Sequence, residues 1–135
     1  MTKLPAGSAT ATATGAGAGA VSDYADAPAI SVESSWVALI ADRLGAVESD
    51  REFWLRRAAL LDRMALAEEA EGGAWTVGEA VPVAVLTAEG AARRLVAYDG
   101  VHFGLSTRGA DIATGADCRE YVREEYRAWR LGALR

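Results

Sequence analysis

The chain has 135 residues, of which 30 are alanine and 14 glycine. Its 14 Lys and Arg against 19 Asp and Glu leave a net charge of −5, with the acids spread along the chain, so bulk attraction to nucleic acid or to an anionic membrane is not expected. One cysteine, Cys118, excludes an intramolecular disulfide. One histidine, His102, leaves no Cys/His set for a structural zinc.

No apolar run approaches the roughly 18 residues that cross a bilayer. The amino terminus carries one basic residue and then Ala, Gly and Thr where a secretory leader has a leucine-rich run. A cytoplasmic protein is expected, with no cofactor. The basic residues are 13 arginines and one lysine, which together with the alanine content fits a GC-rich coding sequence.

Residues 1–30 hold 10 alanines, 4 glycines and 4 threonines, with only Lys3, Asp23 and Asp26 charged. A segment so poor in large side chains cannot offset the entropy of ordering it. It is predicted to be a disordered tail, and removing residues 1–28 should leave stability unchanged. The single domain is then 31–135, long enough to bury somewhat over about 60% of its unfolded surface.

In chain order, Trp36, Val37, Ile40, Ala41, Leu44 and Val47 share an arc of roughly 140°, an amphipathic helix from Ser31 to Gly45. Ser49-Asp50-Arg51-Glu52 is a capping-box pattern that starts a second helix, ended near Glu71 by Gly72-Gly73. That helix is apolar on three sides: Phe53, Leu60 and Met64; Trp54, Ala58, Leu61 and Ala65; and Leu55, Ala59 and Leu66 with Ala70. Such a helix is either central in a bundle or shared with a partner. Because charged seams separate the third face from the others, Leu55, Ala59 and Leu66 are expected to contact a second copy or a partner protein.

Val77 to Tyr98 reads as a third helix, with Pro82 in its first turn and a long Gly-rich loop after it. The competing reading makes Val81 to Thr87 a strand and Asp99-Gly100 a type I′ turn into a second strand. We take the helix. Asp117 caps the last helix, which Gly132 ends near Leu131, with Cys118, Val122, Tyr126 and Trp129 on its apolar face. The expected fold is therefore an all-α bundle of three or four helices behind the tail, with α+β and a hairpin at Asp99-Gly100 as the alternative.

Chemistry-bearing residues are few. His102 is the one side chain that titrates near neutrality, and Asp99 stands three residues before it. Asp99, His102, Asp111 and Asp117 match no metal-loop spacing, and loop aspartates ordinarily form turns and caps. Cys118 falls on an apolar stripe. Neither a catalytic residue nor a metal ligand is assigned. Arg119, Arg123, Arg127 and Arg130 span roughly 80° of the last helix as a cationic ridge suited to phosphates or acidic side chains. Glu120 and Glu124 are placed to neutralise some of it. Ile40 to Gly45 resembles the first half of a helix-turn-helix, but Arg51 stands where an aliphatic residue should pack.

The run Asp50-Arg51-Glu52-Phe53-Trp54-Leu55-Arg56-Arg57-Ala58-Ala59-Leu60-Leu61-Asp62-Arg63 carries a resemblance, with Trp36 to Ile40 before it and Tyr121 to Trp129 near the end. Together they resemble a family of small uncharacterised actinobacterial proteins. The resemblance implies helices in all three blocks and a link to regulatory or mobile-element genes, and brings no known activity. The function expected from the whole sequence is a small non-enzymatic interaction or regulatory protein acting through exposed helix faces. The alternatives are a DNA-binding regulator, and an enzyme relying on His102.

Overall fold

The computed structural model describes residues 20, 23–44, 50–72, 80–104 and 112–133. Among them, four helices follow one another: α1 Ile30–Leu44, α2 Arg51–Gly72, α3 Val83–His102 and α4 Gly115–Ala133. The fold is an all-α four-helix bundle. The hairpin alternative fails because Asp99 and Gly100 lie inside α3.

Local chemistry sets the helix ends, and some of them fall a short way from where the motifs suggest. Ser49 lies outside the described residues, and the cap of α2 is Asp50, whose Oδ1 accepts the Phe53 N–H at 3.1 Å. Pro82 precedes α3 instead of sitting in its first turn. Its ring disfavours helical geometry at the residue before it, so Val81 stays outside the helix. Val77 lies outside the described residues. α3 ends where Phe103 N–H returns to the Asp99 carbonyl at 2.9 Å and Gly104 takes φ +67, a left-handed stop that glycine adopts without penalty.

The start of α4 is a reciprocal capping box one turn earlier than expected. Thr114 Oγ1 accepts the Asp117 N–H at 3.1 Å, while Asp117 Oδ2 accepts the N–H groups of Ala113 and Thr114, both at 3.0 Å. At its other end α4 runs through Gly132 to Ala133, so that glycine is not a stop.

Arg51 meets Asp99, Trp54 meets Arg94, and Ala65 packs with Val85 and Ala88, so α2 and α3 run antiparallel. α3 packs most extensively on α2 and then on α4, and α2 also touches α1 and α4. A helix apolar on three sides is thus explained by a central place in the bundle. The core combines Leu55, Ala58, Ala59, Ala91, Ala92 and Leu95 with Cys118, Tyr121, Val122 and Tyr126. The alanines let the backbones of α2 and α3 approach closely.

Two expectations about the first 30 residues separate here. Residues 1–19, 21 and 22 lie outside the described residues. Tyr24, however, is only 7% exposed and sits in the core, its ring edge-on to Tyr126 at 5.4 Å. The domain therefore begins before Ile30, because a tyrosine supplies the apolar area that the neighbouring alanines lack.

Candidate functional site

Among the described residues three buried carboxylates organise the polar interior, one on each of the first three helices: Glu33, Asp62 and Asp99. Each is held by arginine from another helix. Arg56 of α2 donates from Nε and Nη2 to Glu33 at 3.1 and 2.6 Å, and from Nη1 to Glu52 at 2.8 Å. Its guanidinium also lies 3.6 Å from the Trp36 ring centroid. Glu33 is the one residue of α1 described as buried, so this pair fastens a helix whose described apolar side chains are at most half-buried.

Arg51 donates from Nε and Nη2 to the two oxygens of Asp99, both at 2.7 Å, and reaches Glu125 at 2.7 Å. Tyr121 adds a hydroxyl donor to Asp99 at 2.6 Å. Hydrogen bonding to Asp99 is the main reason the Arg51 guanidinium is held above its ordinary value. Asp62 receives the most donors: Nε of Arg119, Nε and Nη2 of Arg123 at 2.8 and 3.0 Å, and the Tyr24 hydroxyl at 2.6 Å. Arg119 also pairs with Glu69 at 3.1 Å.

This arrangement corrects the cationic ridge. Arg119 is 5% exposed and, with Arg123, is turned inward onto Asp62, so neither presents free charge to a partner. Arg127 is exposed. Arg130 is half-buried and donates from Nη2 to the Asp26 carbonyl at 2.8 Å. The two border a cleft of about 160 Å³ with Asp23, Asp26, Ala27 and Leu131.

The expected partner face of α2 is corrected as well. Leu55 is 0% and Ala59 1% exposed, and Leu66 packs against the same core. The charged seam that set this face apart is Asp62, which is itself buried, so the face is interior.

Among the candidates for chemistry, His102 is exposed and stacks on Tyr98 with centroids 4.2 Å apart. Asp99 does not orient it, since both its oxygens face Arg51 and Tyr121. Cys118 is buried, and burial pushes its thiol above the ordinary value. Asp111 and Ser106 lie outside the described residues, as does Gly45 of the helix-turn-helix match. Among the described residues no three His, Cys, Asp or Glu side chains converge as a metal site, and no helix is long and apolar enough to cross a membrane.

What the wheel did not reveal is a second arginine set, on the outer side of α2 and α3. Arg94 lies 4.7 Å from the Trp54 ring centroid, and Arg57 is half-buried nearby. Burial, and then the charge of Arg94, push the Arg57 guanidinium below its ordinary value. Its sequence signal is the absence of any acid three or four residues from Arg57 or Arg94. No family model, curated protein or solved structure matches the chain.

Proposed function

We propose that this protein is a small non-enzymatic interaction or regulatory protein that works through exposed helix faces. The observation that carries this reading is the outer face of α3. Val83 is 78% exposed, Leu86 54% and Val101 80%, with Phe103 at 66% just beyond the helix end. Apolar side chains grouped along one helix face are characteristic of surfaces that meet a partner. The reading is supported from the other side by the arginine and carboxylate pairs described above, whose charges are taken up in joining helices to one another.

A cytoplasmic setting accords with the free thiol of Cys118. The likeness of three helical blocks to small actinobacterial proteins accords with a regulatory role. Replacing Val83, Leu86 and Val101 together by serine should leave the melting temperature within a few degrees of wild type. The same variant should lose proteins that the wild type captures from an extract of the source organism. An unchanged capture profile would overturn the reading.

A further inference from the structure

Among the described residues, Arg51, Arg56, Arg119 and Arg123 are ion-paired to carboxylates. Arg57 and Arg94 are not. Among the described residues neither of the two has an ion pair, although the chain as a whole carries a net charge of −5. The residues three and four positions from Arg57 are Phe53, Trp54, Leu60 and Leu61, and those from Arg94 are Gly90, Ala91, Ala97 and Tyr98. No carboxylate can reach either cation along its own helix. Beneath them the Trp54 Nε1–H is buried without an acceptor. Like charges held together over an unsatisfied donor are unfavourable until an anion arrives.

The antiparallel register shows what else lies on this face. Arg51 is level with Asp99 and Trp54 with Arg94, so Arg57 is level with residues 91–93, within a turn of Arg94, and Met64 with residues 84–86. Met64 is 44% exposed, and Val83 and Leu86 extend the same apolar end. Between the two ends lies Gly90, where a Cβ would have nothing within 4 Å. From Arg57 to Met64 is seven residues, or about 10.5 Å along the helix.

We propose that this outer face of α2 and α3 receives an acidic amphipathic helix of a partner protein. Carboxylates of the partner helix meet Arg57 and Arg94. Its large apolar side chains, about two turns away, cover Met64, Leu86 and Val83. Charge and apolar area together select this occupant. A nucleic acid would supply phosphate to the arginines and nothing suited to the methionine and leucine, and two copies of this face laid together would set arginine against arginine. The proposal rests on the interaction reading given above and names its partner chemistry.

The test is selection from a displayed library of random peptides about 16 residues long, roughly four helical turns, against the immobilised full chain. Recovered peptides should carry Asp or Glu about two turns from Leu, Phe or Met. They should bind R57Q/R94Q at least about tenfold more weakly than wild type, and weaken as salt rises. R57Q/R94Q should melt within a few degrees of wild type, because the like-charge repulsion and the Arg94–Trp54 stacking that it removes oppose one another, and M64S/L86S provides a second, uncharged variant that should also lose binding.

Recovered peptides that bind R57Q/R94Q as well as wild type place the docking surface elsewhere, which overturns this proposal and leaves the interaction reading standing. Binding of short duplex DNA that R57Q/R94Q abolishes, with no acidic peptide recovered, replaces the proposed partner by nucleic acid. If neither peptide nor DNA binds any face, both readings fall.

Discussion

Asp62 shows why a buried charge is costly to orphan. It is 1% exposed, and its two oxygens serve Arg119, Arg123 and Tyr24. Removing one member of such a buried cluster leaves uncompensated charge, which costs about 3–5 kcal/mol. Asp62→Ala should therefore lose stability of that order in urea titration. A loss under about 1 kcal/mol would place the cluster with weak solvated pairs. The tyrosines give a test by pH. Tyr24 and Tyr121 are held above their ordinary value first by burial and then by Asp62 and Asp99 respectively, and burial does the same to Tyr126. The folded state thus keeps these protons more tightly than the unfolded chain, whose tyrosines ionise near about pH 10. The stability this contributes is present below that pH and is lost as pH rises through and above it. Phenolate absorbance should accordingly appear for Tyr24, Tyr121 and Tyr126 together with the loss of helix. Reversible ionisation of all four tyrosines near pH 10 in a fully helical sample would contradict this.

The helices depend on their neighbours to different degrees. α1 buries only Glu33 among its described residues, whereas α2 and α3 bury most of the core. Glu33→Ala should free α1 selectively: amide exchange over 30–44 rises while α2, α3 and α4 keep their protection. Uniform loss of protection would mean that α1 is integral to the bundle. α3 offers the opposite change. Gly90 is exposed within the helix and a methyl there meets nothing within 4 Å, so Gly90→Ala should raise stability by about 0.5–1 kcal/mol. Gly104, with φ +67, is where the same substitution should instead destabilise, by about 1–2 kcal/mol. Thermal melts of the two variants give opposite signs if both assignments are right.

The bundle as a unit is closed by a residue from outside its four helices. Tyr24 precedes α1, enters the core against Tyr126 and binds Asp62 on α2. A chain shortened by residues 1–28 should therefore be less stable, not unchanged. Loss of a core aromatic costs about 3–5 kcal/mol, and each kcal/mol corresponds to about 4–8 °C in a domain of this size. Tyr24→Ala in the full chain should reproduce most of the fall. An equal melting temperature for the shortened and full chains would show that Tyr24 is dispensable.

Three helices were legible in the residues alone, and the third in chain order was preferred to a strand hairpin, because helix formation is a local matter: an apolar period of 3.6, a capping side chain, and a proline or glycine at an end. The same local signals placed Asp50, Asp117 and Pro82 at helix starts to within a few positions. Side-chain direction was not local. Arg119 lies about 20° from Tyr126 on the wheel of α4, at the border of the apolar face, and its long side chain can point to water or inward. Asp62, across the interface on α2, turns it inward. Likewise Leu55 belongs to the interior because Asp62, counted as a solvated seam, is itself covered by α4 and Tyr24. Some of the alanines and arginines that composition attributes to coding sequence have structural work in the bundle. Alanine lets α2 and α3 close together, and arginine forms the forked pairs with Glu33 and Asp99 that the single-point ammonium of lysine cannot. A wheel places a residue on its own helix. What lies opposite it depends on contacts between residues far apart in sequence, such as Asp62 and Arg119, and those exist only once the helices have packed.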